Sequence, residues 1–153
     1  MQMTLTEMFV KLARLFGCGR EKEKTVTSVD EMTLTLRGMH GGTVYKFENR
    51  TTGTELCRYF EKYSGTETFL ELDKSAAFDH QQMISLINTC GIILWDGFHG
   101  KHPRNVHDGI MFCFKATVND GQTIFADGSE NFPNGYREFV RSLNEILAES
   151  EDE

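Results

Sequence analysis

Several things are scarce in this chain of 153 residues, and each scarcity closes off a class of protein. Lysine and arginine number 16 against 23 aspartates and glutamates, a net charge of −7 that includes the tail Glu149-Ser-Glu-Asp-Glu153. A surface that grips nucleic acid neutralises phosphates with clustered cations, so this balance argues against one. It leaves open a basic protein partner or mimicry of nucleic acid, beside the plainer role of keeping a domain in solution. No run approaches the roughly 18 apolar residues that a membrane-spanning helix needs. The opening Met1-Gln-Met-Thr-Leu-Thr-Glu-Met8 has no basic stretch, long apolar centre or small-residue cleavage site, so no secretory signal is expected. The four cysteines (Cys18, Cys57, Cys90 and Cys113) include no C-x-x-C pair, and the expectation is buried free thiols in a reducing cytoplasm. Internal repeats and low-complexity tracts are missing. So are G-x-S-x-G, a Walker loop, H-E-x-x-H and a Rossmann fingerprint, which leaves nucleophilic catalysis little support.

What is present is a folded domain. A hydrophobic fraction of 39% with twelve phenylalanines, in a chain of this length, is enough for one core. Residues 4–16 read as an amphipathic helix: Leu5, Met8, Phe9, Leu12, Leu15 and Phe16 share a face, and Gly17 ends it. Three fates are open to that face: packing on its own domain, holding a partner or second copy through Leu5, Phe9, Leu12 and Phe16, or lying on a membrane. Lys11 and Arg14 are too few to favour a membrane. A mixed-charge linker follows to Lys24.

From Met32 the apolar period becomes two. Met32, Leu34 and Leu36 alternate with polar residues, and three more strands follow across short glycine-containing turns, up to Leu72. Asp79–Cys90 reads as a helix with capping-box spacing to Gln82, and 133–148 as a stronger one on Tyr136, Phe139, Val140, Leu143, Ile146 and Leu147. Between them Ile92–Trp95 reads as a short strand. Gly109–Val118 reads as a central strand covered on both faces, and Asn119-Asp-Gly121 as a tight turn into 123–126. The expected architecture is α+β: an antiparallel sheet of six or seven strands, with the 79–90 and 133–148 helices packed on it. Residues 1–24 precede a single domain at 25–148, and an acidic tail covers 149–153.

The unusual stretch is the connection after the only tryptophan. His99, His102, His107 and Asp108 lie there beside Asp96, flanked by Gly97, Gly100 and Gly109. Imidazole nitrogen and carboxylate oxygen both suit zinc, so these four are candidate metal ligands for a hydrolase, although H-x2-H-x4-H matches no zinc signature. The same residues also serve as turn caps in an ordinary polar loop. Alternatively Trp95 and Phe98, with Lys101 and Arg104, resemble a recognition loop of aromatic anchor and charged rim that would hold a protein partner. Tryptophan is also a common core residue, and both readings stay open for Trp95.

The pattern Trp95-Asp-Gly-Phe-His-Gly, then Asp108-Gly, Asn119-Asp-Gly and Asn131-Phe-Pro-Asn-Gly-Tyr-Arg-Glu-Phe139 resembles a family of small uncharacterised bacterial proteins from gut-associated Firmicutes. The likeness spans about residues 30–148. It implies a bacterial cytoplasmic setting and brings no activity or site residues with it. Three functions are therefore carried forward: a non-enzymatic protein-binding module, a metal-dependent hydrolase on the 96–108 loop, and an acidic inhibitor or nucleic-acid mimic.

Overall fold

The computed structural model describes residues 24–150, so the helix expected at 4–16 and the last three residues of the tail lie outside it. Four long strands come first: β1 (Val29–Gly38), β2 (Gly41–Arg50), β3 (Gly53–Ser64) and β4 (Glu67–Ala77). Helix α1 (His80–Thr89), a 3-10 turn (Ile92–Trp95) and the two-residue β5 (His99–Gly100) follow. The chain then forms β6 (Met111–Val118), β7 (Gln122–Ser129) and helix α2 (Tyr136–Glu149). The seven strands make one sheet in the order β4-β3-β2-β1-β6-β7-β5. All neighbours are antiparallel except β5, which runs parallel to β7, so the sheet is mixed rather than antiparallel throughout. Gly97, at a φ of 85°, turns the chain so that β5 travels with β7.

Register explains the core. Ala76, Leu56, Phe47, Met32, Ala116 and Ile124 are successive cross-strand partners, and all six are buried. A neighbouring row carries Tyr45, Leu34, Phe114 and Ala126. On these rows sit Met83 and Ile87 of α1 and Phe139, Leu143 and Leu147 of α2, one continuous cluster on one face of the sheet. Each large side chain buried there contributes about 1.5–3 kcal/mol. The capping box is present: Gln82 N–H donates to the Asp79 carboxylate at 2.8 Å and the Gln82 side chain accepts from Asp79 N–H at 2.9 Å.

Two expectations need correcting. Ile92–Trp95 is not a strand. Gly91 leaves α1 at a φ of 66°, and the three-residue period of the turn buries Ile92 and Trp95 together while Leu94 is 82% exposed. Among the described residues, strand β6 is central in the sheet but covered on one side only. Phe112, Phe114, Ala116 and Val118 face the helices, whereas Met111 and Lys115 are exposed and Cys113 is half-buried. Both described helices lie on the same side, so among the described residues its other row, though partly apolar in sequence, meets no second layer.

The hairpin signal at Asn119 is carried through. Asn119 and Asp120 take positive φ values of 50° and 57° before Gly121. The Asn119 amide also ties down the entering chain, accepting from Thr27 N–H at 2.7 Å and donating to the Thr25 carbonyl at 2.9 Å. Among the described residues no helix is long and apolar enough to cross a membrane.

A groove on the helix-free face of the sheet

Among the described residues one face of the sheet carries no helix, and side chains themselves cover part of this helix-free face. Over β2 and β3, Arg50 donates to the Tyr59 hydroxyl at 3.2 Å and Tyr59 donates to Glu48 at 3.0 Å, above buried Val44 and Cys57. Burial first, then the Glu48 carboxylate, pushes the Tyr59 phenol up to about 12. Toward β6 and β7 the face opens into a groove of about 410 Å³. Two rows form it. Thr35, Cys113, Asp127 and His99 are partners across β1, β6, β7 and β5, and Arg37, Met111 and Ser129 are partners across β1, β6 and β7. Met111 is 55% exposed, and Lys101 and His102 stand at the rim.

The loop above the groove is held at many points. The Asp96 carboxylate accepts from Phe125 N–H at 3.1 Å, and Gly97 N–H donates to the Phe125 carbonyl at 2.9 Å. Asp127 N–H donates to the Phe98 carbonyl at 3.1 Å, seating β5 on β7. A Cβ on Gly100 would lie 2.1 Å from the Asn131 carbonyl oxygen, so only glycine permits this approach. At the far end Glu130, itself at a φ of 47°, accepts from Ile110 N–H at 2.7 Å and donates its own N–H to the Ile110 carbonyl at 3.0 Å.

Two imidazoles are fixed this way. His99 Nδ1 lies 2.7 Å from Asp127 Oδ1, with the histidine side chain 76% exposed. His102 Nδ1 lies 2.7 Å from Ser129 Oγ, and its Nε2 bonds the Val106 carbonyl. A carbonyl only accepts, so Nε2 carries the proton of the neutral ring and Nδ1 accepts from the Ser129 hydroxyl. Arg37 is held by Glu61, with Nη2 to Oε1 at 2.8 Å, which raises its guanidinium pKa further. Lys101 adds a further cation to this rim.

The candidate residues are thus dispersed. Trp95 is 1% exposed and belongs to the core, not to a partner surface. Its ring meets Phe114 at 5.1 Å and Phe139 at 5.8 Å, both edge-on, and its indole N–H donates to the Asn134 carbonyl at 2.8 Å. Phe98 is half-buried against Phe112 beneath the loop. Lys101 and Arg104 are exposed. His99, His102, His107 and Asp108 do not gather: His99 faces Asp127, His102 faces Ser129, and Asp108 lines a separate depression beside the β1–β2 turn. Among the described residues no group of three or more His, Cys, Asp or Glu side chains is placed to hold a metal ion.

Compared with protein-family models, curated proteins and solved structures, the chain matches none. Its own geometry is therefore what speaks to function. Sequence reasoning missed Thr35, Arg37 and Met111 of the groove, and also Asp127 and Ser129, because β7 was expected to stop at Ala126. The signal was there: the alternation of Phe125 with Ile124 continues through Asp127 and Ser129, which keeps both on the helix-free face. Burial pushes the Cys57 and Cys90 thiols up, away from thiolate character.

Proposed function

We propose that this is a non-enzymatic protein-binding module of a bacterial cytoplasm, and that it holds its partner in the groove beneath the 96–108 loop. The observation that supports the reading is the combination of exposed Met111 on the groove floor with Lys101 and His102 at its rim. An apolar floor beside a cation suits a partner segment with an acidic residue next to an apolar one. Arg104, further along the same loop, adds a second positive charge to the approach, and Phe98 supports the loop from below. A loop fastened to β7 loses little freedom on binding, which favours affinity. Calorimetric titration of the full chain with a short peptide carrying leucine between two glutamates tests this, with the glutamine counterpart as control. The acidic peptide should bind about tenfold more tightly, a difference that Lys101→Glu with Arg104→Glu removes. Equal affinity for both peptides, or none, contradicts the proposal.

One observation favours a second reading, hydrolysis by acyl transfer. The chain from Ser129 hydroxyl to His102 to the Val106 carbonyl has the order of nucleophile, base and orienting group. Covalent labelling by a fluorophosphonate probe that is lost in Ser129→Ala would support it. A chain that stays unlabelled would remove it.

A further inference from the structure

The β3–β4 hairpin, at the opposite end of the sheet from the groove, is built differently from the rest. Its strands are the longest, 12 and 11 residues, and every residue from 62 to 73 is exposed. Large apolar side chains collect there: Tyr63 is 68% exposed, Phe69 50%, Leu72 47% and Leu70 40%. Among the described residues, strand β4 is the edge of the sheet and pairs only with β3, so its outer row of backbone N–H and C=O groups faces no other described strand. A long, partly apolar edge is a template for another strand.

Register sorts its side chains. Leu70 and Leu72 stand opposite Glu61 and Tyr59, on the helix-free face. Phe69 and Glu71 stand opposite Lys62 and Phe60 on the other, and Glu67 shares their side by alternation. The charges are mostly negative. Asp73 is held by Arg58 at 2.6 Å, but the Glu71 contact with Lys62, at 3.9 Å between exposed groups, neutralises little. These charges argue against a second copy. Antiparallel self-pairing centred on Phe69 sets Glu67 against Glu71, and centring on Glu71 sets that residue against itself. Like charges directly opposite are destabilising in a sheet. What keeps two copies apart selects a partner of the other sign.

We propose that the outer edge of β4 takes an extended, basic segment of another protein as an eighth strand. Alternate apolar side chains of that segment lie on Leu70 and Leu72, and its lysines or arginines lie beside Glu67 and Glu71. This site is independent of the groove, which is suited to an acidic group, so either can fail without the other.

The test uses the full chain and a capped nine-residue peptide of alternating valine and lysine, followed by calorimetry and amide hydrogen exchange. The peptide should bind and slow exchange at amides in residues 68–72. Proline at its centre should abolish binding, because proline removes a ladder donor. Glu67→Lys with Glu71→Lys should weaken binding at least about tenfold, and Leu70→Thr with Leu72→Thr similarly. All four substitutions are at exposed positions, and an unchanged circular dichroism spectrum verifies the fold. No binding, binding indifferent to proline, or protection at another element overturns the proposal. Concentration-dependent dimerisation in sedimentation, abolished by the leucine substitutions, overturns it in favour of a second copy.

Discussion

Replacing Gly100 by alanine should unseat β5 from β7 and release the loop over the groove. The new Cβ would fall 2.1 Å from the Asn131 carbonyl oxygen and 2.9 Å from its carbonyl carbon, short of an ordinary 3.4 Å contact to the oxygen by about 1.3 Å. Both obstacles are backbone, so no flexible side chain can yield. Overpacking of this kind costs about 1–3 kcal/mol, and a main-chain obstacle belongs at the upper end. The loss of chain freedom in the unfolded state on removing a glycine offsets only about 0.4–1 kcal/mol of that. A net loss of about 2 kcal/mol lowers the melting temperature by about 4–8 °C in a domain of this size. If the strain is relieved locally instead, the Asp127 amide, which donates to the Phe98 carbonyl, should exchange about 30-fold faster at unchanged Tm. Gly38→Ala is the control, since its Cβ would meet nothing nearer than 4.0 Å, and it should change stability by less than about 0.5 kcal/mol. Should Gly100→Ala match that control in both melting and amide exchange, the clamped loop is wrong.

Two other perturbations follow from the same structure. Asn119→Ala removes a side chain that holds Thr25, Thr27 and Ser28, and leaves alanine at a φ of 50°. It should cost about 1–3 kcal/mol in urea unfolding, by stranding donors and straining the turn. Burial, aided by the neighbouring Tyr45 and Glu130, pushes the Tyr136 phenol from 10 up to about 12. The raised value means that the fold favours the neutral phenol. Its contribution is fully present below pH 10 and is lost as pH rises through about 12, a difference of about 2–3 kcal/mol. Tyr136→Phe should therefore lose less stability than the parent between pH 9 and pH 12 in urea titrations at fixed ionic strength, and parallel losses would refute the assignment.

The strands were legible wherever one face was apolar and the other polar. Met32, Leu34 and Leu36 announced both the strand and its buried side, and Asn119-Asp-Gly announced a hairpin whose positive φ values the structure carries. The α2 stripe of Tyr136, Phe139, Leu143 and Leu147 was equally plain. Ile92–Trp95 was not, because four apolar residues fit a strand and a 3-10 turn alike; only the packing of Ile92 and Trp95 against one core decides between them. In β6 the row Met111, Cys113, Lys115 looked half-apolar, and local sequence cannot say that both helices lie on the other side. The same long-range fact hid the groove. Its histidines were visible as a cluster, but their partners Asp127 and Ser129 come from a strand nearly thirty residues away, with |i−j| of 28 and 27.

The groove reading is tested most directly by the methyl spectrum of the full chain labelled with 13C-methyl methionine, recorded while the leucine–glutamate peptide is added. Met111 is 55% exposed on the groove floor and Met83 is fully buried beneath α1, so one sample carries both probe and control. A saturable shift of the Met111 resonance, with Met83 unmoved, is the predicted result. A Met111 signal that stays in place while the peptide binds would contradict it, because the contact would then lie on some other face of the sheet.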